Sequence, residues 1–270
     1  MRLHRSRSAR GTWALILSLV VTAILSFLPT SSHAAVDWNE GFEYADNTAL
    51  KATWSSSCTS AQHASVMEIS TARRFSGSKS LKLTYIGANP ALTCFIDRYF
   101  PVTETLYTRV YVYLDGFSGN DTGSKMFFVG QGNLYPNFWT LFIHSTNTLS
   151  IILQGAVITG SASLLQSGTI PSGRWVCLEE RYTMNTPGVA NGIVQTWVDG
   201  VQHHNRTDLL LRSSSSSTKM SYTRLYRQHG LGTIYFDDYA VSRSGRIGCS
   251  GSAPASDTTA PQTPAGVTIK

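Results

Sequence analysis

The sequence predicts an all-β protein, a two-sheet antiparallel sandwich, and three observations carry that reading. Short segments rich in Val, Ile, Tyr, Phe and Thr recur from Ser80 to Ser242, separated by clusters of Gly, Asn, Asp and Pro. Nowhere does a capped 3.6-residue apolar period replace the period of two, so no helix is expected. Repeats of about 20–50 residues are absent, which sets aside propellers and solenoids.

The N-terminus is a leader. Arg2, Arg5, Arg7 and Arg10 form a basic start, and Trp13 to Leu28 is an apolar run broken only by Ser18, Thr22 and Ser26. Ser32-His33-Ala34 puts small residues at the −3 and −1 positions of a signal-peptidase site, so residues 1–34 read as a signal peptide cleaved after Ala34. An uncleaved anchor is the competing reading; the run is short for a bilayer span and is followed by that small-residue site. The expectation is an exported protein, extracellular or periplasmic, with no stable membrane anchor after cleavage. The chain has 22 Lys+Arg against 16 Asp+Glu, but four of the Arg and none of the acids precede residue 35, leaving a net charge of +2. With no helix of clustered Lys/Arg and no RNA-binding aromatic motif, nucleic acid is not expected as a partner.

Residues 35–249 have the length of one large sandwich domain. Ten strands are read within it, at residues 80–85, 94–100, 107–114, 125–129, 138–144, 149–153, 175–184, 193–198, 222–227 and 233–242. The clearest pair lies between Arg174 and Gly200. Val176, Leu178, Glu180 and Tyr182 alternate with Cys177, Glu179, Arg181 and Thr183, which gives that strand two unlike faces. Asn185-Thr186-Pro187-Gly188 and Asn191-Gly192 supply the fixed-φ and positive-φ positions that a reversal needs. The return strand ends at Asp199-Gly200.

Four cysteines, Cys58, Cys94, Cys177 and Cys249, are an even number in an exported chain and favour two disulfides over a metal site, since no pair has Cys-x-x-Cys spacing. Three connectivities are open; sequence proximity favours Cys58–Cys94 and Cys177–Cys249. Residues 250–270 are rich in Ser, Ala, Pro and Thr and read as a flexible linker or the truncated start of a fibronectin type III-like module.

The hairpin opens on Trp175, carries Asn-x-Pro-Gly and Asn-Gly in its loop, and closes on Trp197-Val198-Asp199-Gly200. It resembles the central hairpin of the concanavalin A-like jelly-roll superfamily, especially its secreted polysaccharide-lyase and laminin-G-like branches. Trp38-Asn39-Glu40-Gly41-Phe42-Glu43 with Trp54, Ser78-Lys79-Ser80-Leu81-Lys82-Leu83, and Tyr235–Ser242 with Ile247-Gly248 resemble other strands of that superfamily, in the same order. The nearest likeness is to alginate- and glucuronan-type lyase domains. The resemblance implies two antiparallel sheets with one concave face that holds a glycan, an acidic polysaccharide being favoured. In the strand over 107–114, Val110, Val112 and Leu114 fit the packed face, which leaves Arg109, Tyr111 and Tyr113 for the groove. Tyr rings stack on sugar faces and Arg pairs with a uronate carboxylate; an outer row shielding the sheet is the alternative.

Cleaving a uronate polymer by elimination requires a group that neutralises the carboxylate, a base and an acid. Lys125 resembles the groove lysine of some of these lyases. His144, Tyr226 and Arg224 are the other catalytic candidates, and Gln131 joins Arg109, Tyr111 and Tyr113 as a binding candidate. No compact Gln/His lyase signature is present. A retaining glucanase is disfavoured, because Glu179-Glu180 and Asp237-Asp238 are adjacent pairs whose members point to opposite faces. A non-catalytic lectin-like module remains the alternative to a lyase. No cofactor is required; Glu43 and Asp238 are candidates for a structural Ca²⁺, as in many sandwiches of this kind. A monomer is expected.

Overall fold

The computed structural model describes residues 35–58, 67–84, 94–118, 124–130, 139–143, 147–153, 165–228 and 231–249. All of them belong to the compact unit Ala34–Lys270. Two antiparallel sheets face one another. The first has the order β13(Val201–Leu209), β12(Gly192–Val198), β11(Trp175–Thr183), β6(Thr105–Ser118), β15(Leu231–Ser242), β4(Ser80–Thr84), β3(Met67–Ser70), with β1(Trp38–Glu40) also paired to β15. The second runs β10(Leu165–Thr169), β9(Thr148–Leu153), β8(Trp139–Ile143), β7(Ser124–Gly130), β14(Met220–Gln228), β5(Cys94–Thr103), β2(Ser55–Cys58). The all-β reading and the jelly-roll sandwich that the resemblance implied are the observed fold.

The core lies between the sheets and follows the period of two. Leu106, Val110, Val112 and Leu114 of β6, Val176, Leu178 and Tyr182 of β11, and Ile234, Phe236 and Tyr239 of β15 all enter it. The opposite sheet contributes Ile96, Phe127, Val129, Ile151 and Leu225. The segment with the Trp38–Glu43 motif closes one side of this core. Trp54 and Phe42, both buried, stack with centroids 5.8 Å apart, while Trp38 meets Trp54 and Tyr239 edge-on at 5.4 Å. Glu40 fixes the turn by accepting from the Phe42 amide at 2.7 Å, the Tyr44 hydroxyl at 2.5 Å and the Trp54 indole at 3.2 Å.

A short helix, α1(Asn47–Thr53), corrects the all-strand expectation. Asp46 caps it by accepting from the Thr48 and Ala49 amides at 2.8 and 2.9 Å. Only Leu50 is buried, so the helix has no apolar stripe for a sequence pattern to reveal. Four strands were also not read: β2, β3, β10 and β13. The nine-residue edge strand β13 buries only His204 and Leu209, which hides it from a hydrophobic pattern.

In the central hairpin, Asn185 is fully buried and ties the loop to the chain after β13. Its Oδ1 accepts from the Leu211 and Arg212 amides at 2.9 and 2.8 Å, and its Nδ2 donates to the Arg212 carbonyl at 3.0 Å. Cys177 of β11 is bonded to Cys249 beyond β15. Cys94 is also disulfide-bonded, and its register partner across β2 and β5 is Cys58.

Glu179 and Glu180 do face opposite ways. The Glu180 carboxyl enters the core, where the Thr108 hydroxyl donates to Oε2 at 3.3 Å and Oε1 has no partner among the described residues. Burial pushes it from 4.5 up to about 8, with Thr108 pulling the other way. Asp237 sits in a bulge of β15, where β6 pairing shifts between Asp237 and Ala240 and Asp238 takes φ 42°. Burial raises the Asp237 carboxyl to about 7, although the amides of Phe75, Ser76 and Asp238 donate to it.

Both groups keep a proton in the fold that the unfolded chain releases at lower pH. Their contribution is fully present below about pH 4 and is lost as pH rises, Asp237 by about 7 and Glu180 by about 8. Stability should therefore fall by on the order of a few kcal/mol between pH 4.5 and 8. Glu180→Gln should remove at least half of that fall in denaturant titrations across the range; an unchanged slope would show that other groups control it.

Candidate functional site

Each sheet has an outer face, and the two differ. On the first sheet, β6 does turn Arg109, Tyr111 and Tyr113 away from the core, but they are only 9, 3 and 6 % exposed. Phe75, from the loop before β4, stacks on Tyr111 at 3.5 Å, and Tyr113 meets the edges of Trp175 and Tyr235. Arg73 lies over Tyr113 at 4.8 Å and Arg109 over Tyr111 at 5.5 Å. The segment after β15 covers the rest. Glu179, 1 % exposed, accepts from Arg246 at 2.5 Å and from the Gly248 amide at 2.7 Å, beside the Cys177–Cys249 bond. The expectation that Arg109, Tyr111 and Tyr113 line an open groove is therefore corrected. Strand alternation fixes which way a side chain points; it does not reveal that a distant loop packs on top.

On the second sheet, the outer face carries a mixed row that is also largely buried, with Tyr222, Asp97 and Tyr226 only 0, 4 and 6 % exposed. Tyr222, Arg224 and Tyr226 of β14 stand opposite Tyr99, Asp97 and Phe95 of β5, while Cys94, Ile96 and Leu225 go to the core. Arg224 donates to both oxygens of Asp97, at 2.5 and 2.8 Å, and its guanidinium lies 3.5 Å from the Phe95 ring centre. The Asp97 side chain is 3 % exposed, so this is a desolvated, two-point ion pair. Phe95 stacks with Tyr226 at 5.9 Å and Tyr99 with Tyr222 at 5.6 Å. Tyr222 is buried over Gly130 of β7, where a Cβ would come within 2.8 Å of the ring. Burial pushes the Tyr222 hydroxyl well up, against the pull of the Arg224 charge.

Backbone register places another sequence-nominated residue at the end of this row. Lys125 of β7 pairs with Gln228 of β14 and with Phe142 of β8. The β7–β14 register shifts between Leu225 and Gln228, so Tyr226 stands at the irregularity, two residues before the partner of Lys125. The Lys125 side chain, His144 and Gln131 lie outside the described residues.

Glu43 and Asp238 both reach the loop 75–79. Glu43 accepts from the Ser78 amide and hydroxyl at 2.8 and 2.6 Å and from the Lys79 amide at 3.0 Å. Asp238 accepts from the Ser76 hydroxyl at 2.7 Å. Asp237 joins them on the same loop, and no ion pair among the described residues involves any of the three.

No family model matches the chain, and no curated protein matches it in sequence. Solved structures do match in fold. The cellulose-induced protein Cip1 superposes with a TM-score of 0.55 at 17 % identity, over 79 % of this chain and 100 % of that one. Alginate lyase Aly36B gives 0.57 at 13 % identity over 78 and 98 %, and an endo-β-1,4-glucuronan lyase from the fungus Trichoderma reesei gives 0.56 at 14 % over 78 and 96 %. These likenesses show the fold, a two-sheet jelly roll.

Within that jelly roll, Phe95, Asp97 and Tyr99 escaped the sequence reading. Their alternation with Cys94 and Ile96 was visible, but their pairing with Arg224 and the two tyrosines of β14 depends on a register that no single strand encodes.

Proposed function

We propose that this protein binds a uronic-acid-containing polysaccharide and cleaves it by β-elimination on the outer face of the second sheet. One observation carries the reading: Lys125 of β7 pairs in register with Gln228 of β14, two residues beyond Tyr226 and at the end of an aromatic row. The lyase-type fold is consistent with it, although one fold hosts many chemistries.

Elimination removes the proton on C5, forms the C4–C5 double bond and breaks the C4–O bond, whose oxygen takes a proton. Lys125 and Tyr226 are assigned to these proton transfers. Arg224 is a positioning residue, since Asp97 occupies its fork and it holds the Phe95 ring against which Tyr226 stacks. His144 and Gln131 stand as the remaining candidates for neutralising the carboxylate. The reading includes export by the leader, residues 1–34, in keeping with a disulfide-bonded domain, and a monomer.

Affinity electrophoresis in gels containing alginate, glucuronan or a neutral glucan tests binding. Retardation by the uronate gels alone is expected; free migration in all of them would overturn the reading. The Arg224–Asp97 pair favours a second reading, a lectin-like module, because a cation already neutralised is a poor catalyst. That module would bind without cleaving.

Glu43 and Asp238 both accept from the loop 75–79, and hard oxygen donors suit calcium. We propose that Glu43 and Asp238 hold a structural Ca²⁺ that would fasten this loop to β15.

A further inference from the structure

A cavity opens at the end of the sandwich, between β1 and β15 of the first sheet and β5 of the second. It is a cavity of about 210 Å³ lined by Asp37, Trp38, Arg98, Tyr99, Pro101 and Arg243, among others. Its charges are not balanced. Arg243 and Asp37 satisfy each other: the Arg243 amide donates to Asp37 at 2.6 Å and its guanidinium at 3.0 Å. These bonds hold the Asp37 carboxyl below its ordinary value against the cost of partial burial.

Arg98 has no such partner. Its guanidinium lies over the Trp38 ring at 4.8 Å, and no hydrogen bond or ion pair reaches it among the described residues. The fork is therefore held on an aromatic plate inside a cleft with its N–H donors uncommitted. That arrangement is preorganised for a planar, two-oxygen anion. Beside it Tyr99 is 43 % exposed, and the same ring stacks on Tyr222 of the β14 row. The cavity thus adjoins the candidate groove through Tyr99. Its volume is below the roughly 300–1,000 Å³ usual for a drug-sized ligand and suits a single ring.

We propose that this cavity is a separate binding subsite for one carboxylate-bearing sugar unit, with Arg98 pairing to the carboxylate. The choice of a uronate rests on the function proposed above; the site itself rests on the cavity, Arg98 and Trp38. Titration calorimetry with an alginate or glucuronan tetrasaccharide, against cellotetraose and inorganic phosphate, tests it. The acidic tetrasaccharides should bind and cellotetraose should not. Arg98→Met, which keeps the stem over Trp38, should weaken binding at least tenfold, and Arg98→Lys should fall between the two. Should Arg98→Met fail to fold, folded Arg98→Lys decides alone: parental affinity in that variant would overturn the subsite.

The two proposals fail separately. Cleavage of a uronate polymer with an affinity and KM unchanged in folded Arg98→Met would overturn the subsite and leave the lyase standing. Arg98-dependent binding without cleavage would keep the subsite and remove the lyase. Phosphate binding as tightly as the tetrasaccharide, and displacing it, would reduce the cavity to a general anion site and overturn the sugar assignment.

Discussion

Replacing Cys177 and Cys249 together by Ala should cost about 4 kcal/mol of stability, because the bond closes a 72-residue span of chain. For a domain of this size that is a fall of roughly 8–15 °C in Tm. The loss exceeds simple loop closure in its consequences. The bond pins the segment that carries Arg246 and Gly248 to Glu179, whose carboxylate is 1 % exposed. Freeing that segment hydrates Glu179 and uncovers the packed ring cluster of Tyr111, Tyr113, Trp175 and Tyr235. Thermal melts followed by circular dichroism check it; a double variant within about 1 kcal/mol of the parent would show that the cover holds without its covalent tie.

Lys125→Ala and Tyr226→Phe should each lower turnover of a uronate polymer by about 100- to 10,000-fold, the range that a positioned proton-transfer group contributes. Tyr226→Phe removes one oxygen and leaves the ring to stack on Phe95, so its Tm should stay near that of the parent. Lys125 lies on a strand whose pairing is made by the backbone, which a side-chain truncation leaves intact. Initial rates at saturating polymer, with melts as a control for folding, give the comparison. Parental rates in both variants would remove these residues from the chemistry.

What the sequence revealed followed from alternation, and what it hid followed from pairing. The Arg174–Gly200 hairpin was legible because β11 has two unlike faces and its loop carries turn residues. The inner placement of Val110, Val112 and Leu114 was legible for the same reason. The cover over Arg109, Tyr111 and Tyr113 was not, since Phe75 arrives from a loop held by Asp237, far along the chain. Asp97 was missed because its meaning depends on Arg224, a partner supplied by the β5–β14 register. Helix α1 was missed because one buried Leu makes no stripe. The two disulfide expectations fared alike in outline: Cys177–Cys249 is formed, and Cys94 is bonded on the strand opposite Cys58.

The central claim is that this face carries out elimination on a uronate chain, and one absorbance trace tests it most directly. Elimination leaves a C4–C5 double bond conjugated to the carboxylate, which absorbs in the ultraviolet, whereas hydrolysis and simple binding leave no such chromophore. Residues 35–270 incubated with alginate, glucuronan and a neutral glucan should give a rising ultraviolet signal with at least one uronate polymer and none with the neutral glucan. A flat trace with every uronate polymer, from protein that is folded and retarded in the same polymers' gels, would contradict the account.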